Sequence, residues 1–197
     1  MGPWIVALFV FVLMAGLPAS AAVSWPLKVH SSGRYLVDQA GTPFYIHGDS
    51  AWNIPGNLDT NAVRTYLNDA QSRGITALLF RPATPHYGTN SPYNHYGVLP
   101  YTGGDFTKPI EDYWKFVDYC LNECKSRDMV CFLTPMYYAN TDANGYRDEM
   151  ASQGTTVATT WGNWIGARYK AQGNIVWLGY GDCDTDGGTQ GRAWTRS

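Results

Sequence analysis

Asp182 stands directly after Asn174-Ile-Val-Trp-Leu-Gly-Tyr-Gly181. The four apolar residues from Ile175 to Leu178 suit a strand buried on both faces of a parallel sheet. Gly179 and Gly181 leave the backbone room to turn, so the carboxyl is delivered just past the strand end. In α/β barrels that end of the strands carries the catalytic groups. Three earlier segments repeat the arrangement, an apolar run followed at once by polar and aromatic residues. They place Asp49 and Trp52, then Arg81, then Tyr137 after successive strands. The chemistry on offer is a carboxyl group beside an arginine, which can bind hydroxyls or hold a carboxylate, and beside flat aromatic surfaces. Each residue also has a plainer reading: turn cap, core tryptophan, surface arginine, loop packing.

The elements that must position these residues follow from periodicity. Leu27 to Tyr45 reads as an N-terminal β-hairpin, with Val29, Tyr35 and Val37 interrupted by Ser31-Ser-Gly33 and Gln39-Ala-Gly41. Phe44-Tyr-Ile46 is expected to start the first core strand. Asp59 or Thr60 caps a helix whose Val63, Tyr66, Leu67 and Ala70 share a stripe, and Gly74 ends it. Ile75 to Phe80 is the second strand. Pro109 opens a second helix with Tyr113, Trp114, Val117, Leu121 and Cys124 on one face. Met129 to Leu133 is the third strand. A third helix carries Trp161, Trp164, Ile165 and Tyr169, and Gly173 closes it.

Between the second strand and second helix lies the long segment Pro82 to Phe106, rich in Tyr, Pro, Gly and Asn. Seven of its residues are aromatic or histidine, His86 and His95 among them, which argues against plain disorder. The order is β-α-β-α-β-α-β, the signature of right-handed parallel crossovers. A doubly wound nucleotide fold would want a G-x-G-x-x-G turn after the first strand, and Gly48-Asp-Ser50 does not supply it. Polar residues gathered after every strand instead fit a (β/α)8 barrel of the TIM type. Four βα units are present, so the expectation is a half-barrel preceded by the β-hairpin.

Composition narrows the class. The chain has 197 residues and a net charge of −2, which gives no field for a polyanion, so nucleic acid is excluded as a partner. Aromatic residues make up 15%, many in loops, which favours a surface that stacks on sugar rings over one that recognises charge. Ile5 to Leu17 is apolar and Ala19-Ser-Ala21 offers small residues for cleavage; residues 1–22 read as a secretory signal peptide, with a signal anchor as the alternative because no Lys or Arg precedes the apolar run. The domain then spans 23–197, is secreted, and has no stable membrane association after cleavage. Four cysteines are present: Cys120, Cys124, Cys131 and Cys183. Export would permit disulfides; Cys124 to Cys131 is a conceivable pair and buried free thiols are the other reading. No Cys-x-x-Cys pair occurs, so zinc is not expected, and no cofactor is implied.

Five segments in order, Pro26-Leu-Lys-Val29, Gly33-Arg-Tyr-Leu-Val-Asp38, Gly41-Thr-Pro-Phe44, Gly48-Asp-Ser-Ala-Trp52 and Asn174 to Asp182, resemble landmarks of the apiosidase-like glycoside hydrolases. The resemblance covers the N-terminal half of that family's catalytic domain. It implies a (β/α)8 barrel acting on side chains of plant cell-wall polysaccharides through two carboxylates of retaining type. Asp182 matches the acid/base, a carboxylic acid that protonates the leaving oxygen and then serves as base. Asp49 and Trp52 match the segment that binds the sugar at the cleavage point, by accepting hydroxyl hydrogens and by stacking.

The family's nucleophile is a Glu near the end of the seventh strand. The three glutamates here, Glu111, Glu123 and Glu149, belong to helix-associated segments expected outside the barrel. The hydrolase reading is therefore of a chain truncated before its nucleophile. The alternative is a carbohydrate-binding remnant without catalysis. A third reading rests on Asp182-x-Asp184-x-Asp186-Gly187, the opening of a calcium loop whose twelfth position would be Ala193 rather than Glu; no metal site is assigned.

Overall fold

The strand formers around Gly33 and Gly41 fold back as expected, but into three strands. In the computed structural model, which describes residues 22–86, 88–137 and 145–179, β1 (Lys28–Val29), β2 (Leu36–Val37) and β3 (Pro43–Phe44) form an antiparallel sheet in that order. Leu36 pairs with Phe44 and Val37 with Pro43. The backbone of Phe44 is thus spent on this small sheet, which corrects the expected start of the first core strand. That strand is β4 (Gly48–Asp49), only two residues long.

The main sheet is wholly parallel, in the order β4, β5 (Ala77–Phe80), β6 (Val130–Leu133), β7 (Ile175–Trp177). Two short helices, α1 (Ile54–Asn57) and later α4 (Arg147–Gln153), sit in the connections. The crossovers themselves are α2 (Thr60–Ser72), α3 (Glu111–Lys125) and α5 (Thr155–Tyr169). Asp59 caps α2 by accepting from the Ala62 N–H at 2.7 Å. Gly74, at φ 75°, takes the left-handed conformation that ends it.

One face of the sheet is well filled. Leu78, Phe80, Cys131 and Leu133 pack with Leu67, Trp114, Val117, Leu121 and Ile165 into a single buried cluster. Trp114 is fully buried, and truncating such a side chain to alanine costs about 3–5 kcal/mol. Strand alternation turns Leu79, Phe132 and Val176 to the opposite face, where they are only half-buried. Four parallel strands are half of the eight that a closed barrel requires. β7 was expected to be buried on both faces; Ile175 and Val176 are half-buried and Trp177 is exposed, because β7 is an edge strand among the described residues.

Three cysteines are described, and Cys120, Cys124 and Cys131 are free and buried. Hydrogen bonding to Cys124, then burial, pushes the Cys131 thiol well above its ordinary range, so Cys124 and Cys131 meet as thiols. Cys183 lies outside the described residues, as do residues 1–21. Among the described residues no helix is long and apolar enough to cross a membrane.

The long segment from Pro82 is ordered by hydrogen bonds. Asn90 Nδ2 donates to the Gly56 carbonyl at 2.8 Å, and Asn57 Oδ1 accepts from the Thr89 N–H at 2.8 Å. The buried Asn94 accepts from the N–H groups of Tyr96 and Val98. Tyr113 and Trp114 of α3 donate to the carbonyls of Pro82 and Pro100 at 2.9 and 3.0 Å. These bonds strap the segment between α1 and α3 at the end of the sheet where the strands terminate.

Candidate active site

The residue after Gly48 is Asp49, at the end of a strand too short to bury it. Its carboxylate is exposed and held by two bonds. Oδ1 accepts from the Ser50 N–H at 2.7 Å, and Oδ2 accepts from the Tyr66 hydroxyl at 2.8 Å. Burial, and then the hydrogen bond to Asp49, raise the Tyr66 phenol well above its ordinary range, so it stays a neutral donor. A carboxylate oxygen has two lone pairs, so each Asp49 oxygen retains capacity for a hydroxyl group brought by a ligand. Tyr66 was placed in the helical core stripe; its ring is half-buried there while its tip reaches the rim.

The strand-end residues of the next two units converge. The Arg81 N–H donates to the Trp52 carbonyl at 3.1 Å, tying the connection after β4 to the end of β5. The buried Arg81 side chain donates from Nη2 to Asn53 Oδ1 at 2.9 Å. Its Cζ lies 5.3 Å from the Trp52 ring centroid and 4.2 Å from that of Tyr137. Trp52 and Tyr137 meet edge-on at 5.6 Å. One guanidinium therefore organises two aromatic rings from two βα connections. Arg81 is not a plain surface arginine.

Asp49, Trp52, Asn53, Tyr66 and Arg81 line a common recess of about 400 Å³. Tyr137 adjoins it through Arg81. The structure thus brings together four of the five residues singled out from sequence. The fifth, Asp182, lies outside the described residues, as does the calcium-like run that begins there. His86 and His95 are exposed and do not line this recess. Asn53 and Tyr66 were missed as site residues. Asn53 follows Trp52 directly and carried no signal of its own, whereas a phenol at the end of an otherwise apolar stripe is a visible hint of a rim position.

The glutamates fall into two groups. Glu111 pairs with Arg168 at 2.8 and 2.9 Å, and Glu123 with Arg127 at 2.8 Å, both across helix surfaces as expected. Glu149 is helix-associated and precedes the third crossover helix, as expected. It sits on α4, outside the three crossover helices, and faces the strapped segment at Pro85 and His86. Among the described residues no group of three or more His, Cys, Asp or Glu side chains is placed to hold a metal ion.

Comparisons with known proteins fit this geometry. A model of the apiosidase-like catalytic domain matches residues 30–196. A family 5 glycoside hydrolase from Bacteroides vulgatus ATCC 8482 superposes with a TM-score of 0.71 at 25% identity, over 91% of this chain and 37% of its own. A second structure described as a glycoside hydrolase gives 0.68 at 24%, over 87% and 37%. The endo-1,4-β-mannanase of Rhizomucor miehei gives 0.54 at 17%, over 88% and 54%, a likeness of fold alone. This chain spans only 37% of the length of the first two. No curated protein sequence matches it.

Proposed function

We propose a sugar-cleaving role from one premise: the chain belongs to the apiosidase-like catalytic domain family. The fold is a partial TIM-type barrel of the glycoside hydrolase kind. On that basis the chain forms the first four βα units of a secreted glycosidase acting on side chains of plant cell-wall polysaccharides. The observation that carries the reading is the strand-end cluster of Asp49, Trp52, Arg81 and Tyr137, at the end of the sheet where barrel enzymes hold substrate.

In this reading Trp52 stacks on a sugar ring whose hydroxyls bond to Asp49. Arg81 keeps Trp52 and Tyr137 in place and adds positive potential beside the cleft. Asp182 protonates the leaving oxygen and then draws a proton from water. A second carboxylate must stand near it, about 5–5.5 Å away for a retaining reaction. Glu111 and Glu123 of α3 are committed to Arg168 and Arg127, so neither is free for this role. That same commitment favours a second reading, in which this stretch binds carbohydrate without cleaving it.

The apolar run and small residues of 1–22 support export, and the −2 charge and loop aromatics support a neutral carbohydrate partner. The test uses the 197-residue chain, and the longest open reading frame that contains it, against pectic and hemicellulosic oligosaccharides. Release of reducing sugar that Asp182→Ala lowers by roughly 10²–10⁴-fold supports catalysis. Binding without release in both proteins supports the binding reading. Neither binding nor release sinks both.

A further inference from the structure

Glu149 points to a second ligand site. The recess bounded by the strapped segment and α4 has a volume of about 470 Å³ and is lined by Pro85, Pro92, Leu99, Tyr101, Phe106 and Tyr146, with His86, Ser91 and Glu149 among them. It shares no lining residue with the strand-end recess. Its volume lies within the roughly 300–1,000 Å³ of ordinary small-molecule sites.

Its polar groups are unusual in one respect. The Tyr146 hydroxyl, Ser91 Oγ and Glu149 Oε2 are all buried and have no hydrogen-bond partner among the described residues. Tyr146 is only 7% exposed. Buried polar groups are nearly always satisfied, and each one left alone costs about 1–3 kcal/mol. Three residues that line one recess thus carry buried polar atoms for which no other described residue supplies a partner. The rest of the lining is proline, leucine and aromatic surface. Tyr101 and Phe106 stand edge to face at 4.8 Å, and Phe106 and Tyr146 at 5.4 Å, so the aromatic residues of the recess pack on one another.

We propose that this recess binds one or two neutral sugar residues of the polysaccharide, away from the cleavage position. A sugar ring offers hydroxyl hydrogens to Glu149 Oε2 and both donors and acceptors to Ser91 and Tyr146. Its C–H faces suit Pro85, Pro92 and Phe106. The proposal rests on the carbohydrate reading given above and extends it to a site that the strand-end cluster does not include. Pro85 and His86 follow closely on Arg81, so the chain runs from the strand-end recess directly to this one.

The test is isothermal titration of the full chain with two neutral disaccharides, 1,4-linked galactobiose and 1,5-linked arabinobiose, and with tetramethylammonium chloride as a cationic probe. Glu149→Gln and Tyr146→Phe keep the shape of the recess. We expect each to weaken disaccharide binding at least fivefold while the melting temperature of the ligand-free protein stays unchanged or rises, because each removes or softens an unmatched buried group. Asp49→Asn should leave that component of binding intact. If binding falls in Asp49→Asn and is unaltered in Glu149→Gln, the recess holds only water and the proposal is overturned while the carbohydrate reading stands. If tetramethylammonium binds and neither disaccharide does, the recess is a cation site and the proposal fails. If the recess binds disaccharide but the reading-frame protein neither cleaves nor binds at the strand ends, the proposal survives and the active-site reading falls.

Discussion

The Arg81 guanidinium carbon stands 4.2 Å from the centroid of the Tyr137 ring, joining the end of β5 to the connection that follows β6. Arg81 is buried, so this cation–π contact is made away from bulk water and is worth about 0.5–2 kcal/mol. A double-mutant cycle of Arg81→Met and Tyr137→Leu, followed by urea denaturation, should return a coupling energy of that size. Strictly additive effects would show that the ring and the guanidinium are neighbours without energetic consequence.

Asn174 sits at the entry to β7 and is completely buried. Its Nδ2 donates to the carbonyls of Met129 and Leu121 at 3.0 and 3.3 Å, and its Oδ1 accepts from Gln172 at 3.1 Å. The side chain therefore locks the strand that leads towards Asp182 to the end of α3 and the start of β6. Asn174→Ala removes both donated bonds from this buried junction and should cost about 1–3 kcal/mol. The denaturation midpoint is expected to fall with an unchanged slope. An unshifted midpoint would mean that water replaces the amide at no cost.

The loop turn before α3 gives a pH dependence with a definite sign. Lys108 holds the Asp105 carboxyl down from its ordinary 3.8 to about 2, assisted by the hydroxyl and N–H of Thr107. A carboxyl lowered in the folded state stabilises the fold above its unfolded value and ceases to do so as pH falls through the folded one. The stability gap between parent and Asp105→Asn should therefore be constant above about pH 5, narrow below pH 4 and close near pH 2. A gap that ignores pH over this range would place the stabilisation in the turn geometry alone.

The parts of the fold that were legible in sequence are those in which a local signal and the tertiary environment agree. Asp59, the stripe of α2 and Gly74 specify one helix with both ends marked. The apolar runs ending at Arg81 and before Tyr137 are β5 and β6 with little change. Legibility failed where two elements competed for one segment. Phe44 has strand propensity, but the register with Leu36 decides which sheet receives it. α4 was invisible because seven residues with one buried position, Met150, carry no stripe. Glu149 was consequently read only as part of the segment before the third crossover helix. Trp177 reads as core by composition and is exposed, since exposure of an edge is a property of neighbours rather than of residue type. Of the site, residue types were legible and partnerships were not: nothing in the spacing shows that Asn53 orients Arg81.

The pairing of Tyr66 with Asp49 yields a prediction that separates binding from stability. Tyr66 donates its hydroxyl to Oδ2 at 2.8 Å from the rim of α2, while Asp49 itself is exposed. An exposed hydrogen bond contributes little to folding, about 0.5–1.5 kcal/mol at most. Its consequence for a ligand is larger, because it fixes the carboxylate rotamer in the recess that Trp52 and Arg81 share. Tyr66→Phe should therefore shift the denaturation midpoint only slightly, yet weaken carbohydrate binding at the strand ends severalfold as Asp49 gains rotational freedom. Asp49→Asn should weaken it further, since the amide offers one acceptor oxygen where the carboxylate offers two. The ordering parent, Tyr66→Phe, Asp49→Asn is the signature of a positioned acceptor. Equal affinity in all three would remove Asp49 from the binding surface and leave the recess to its aromatic walls.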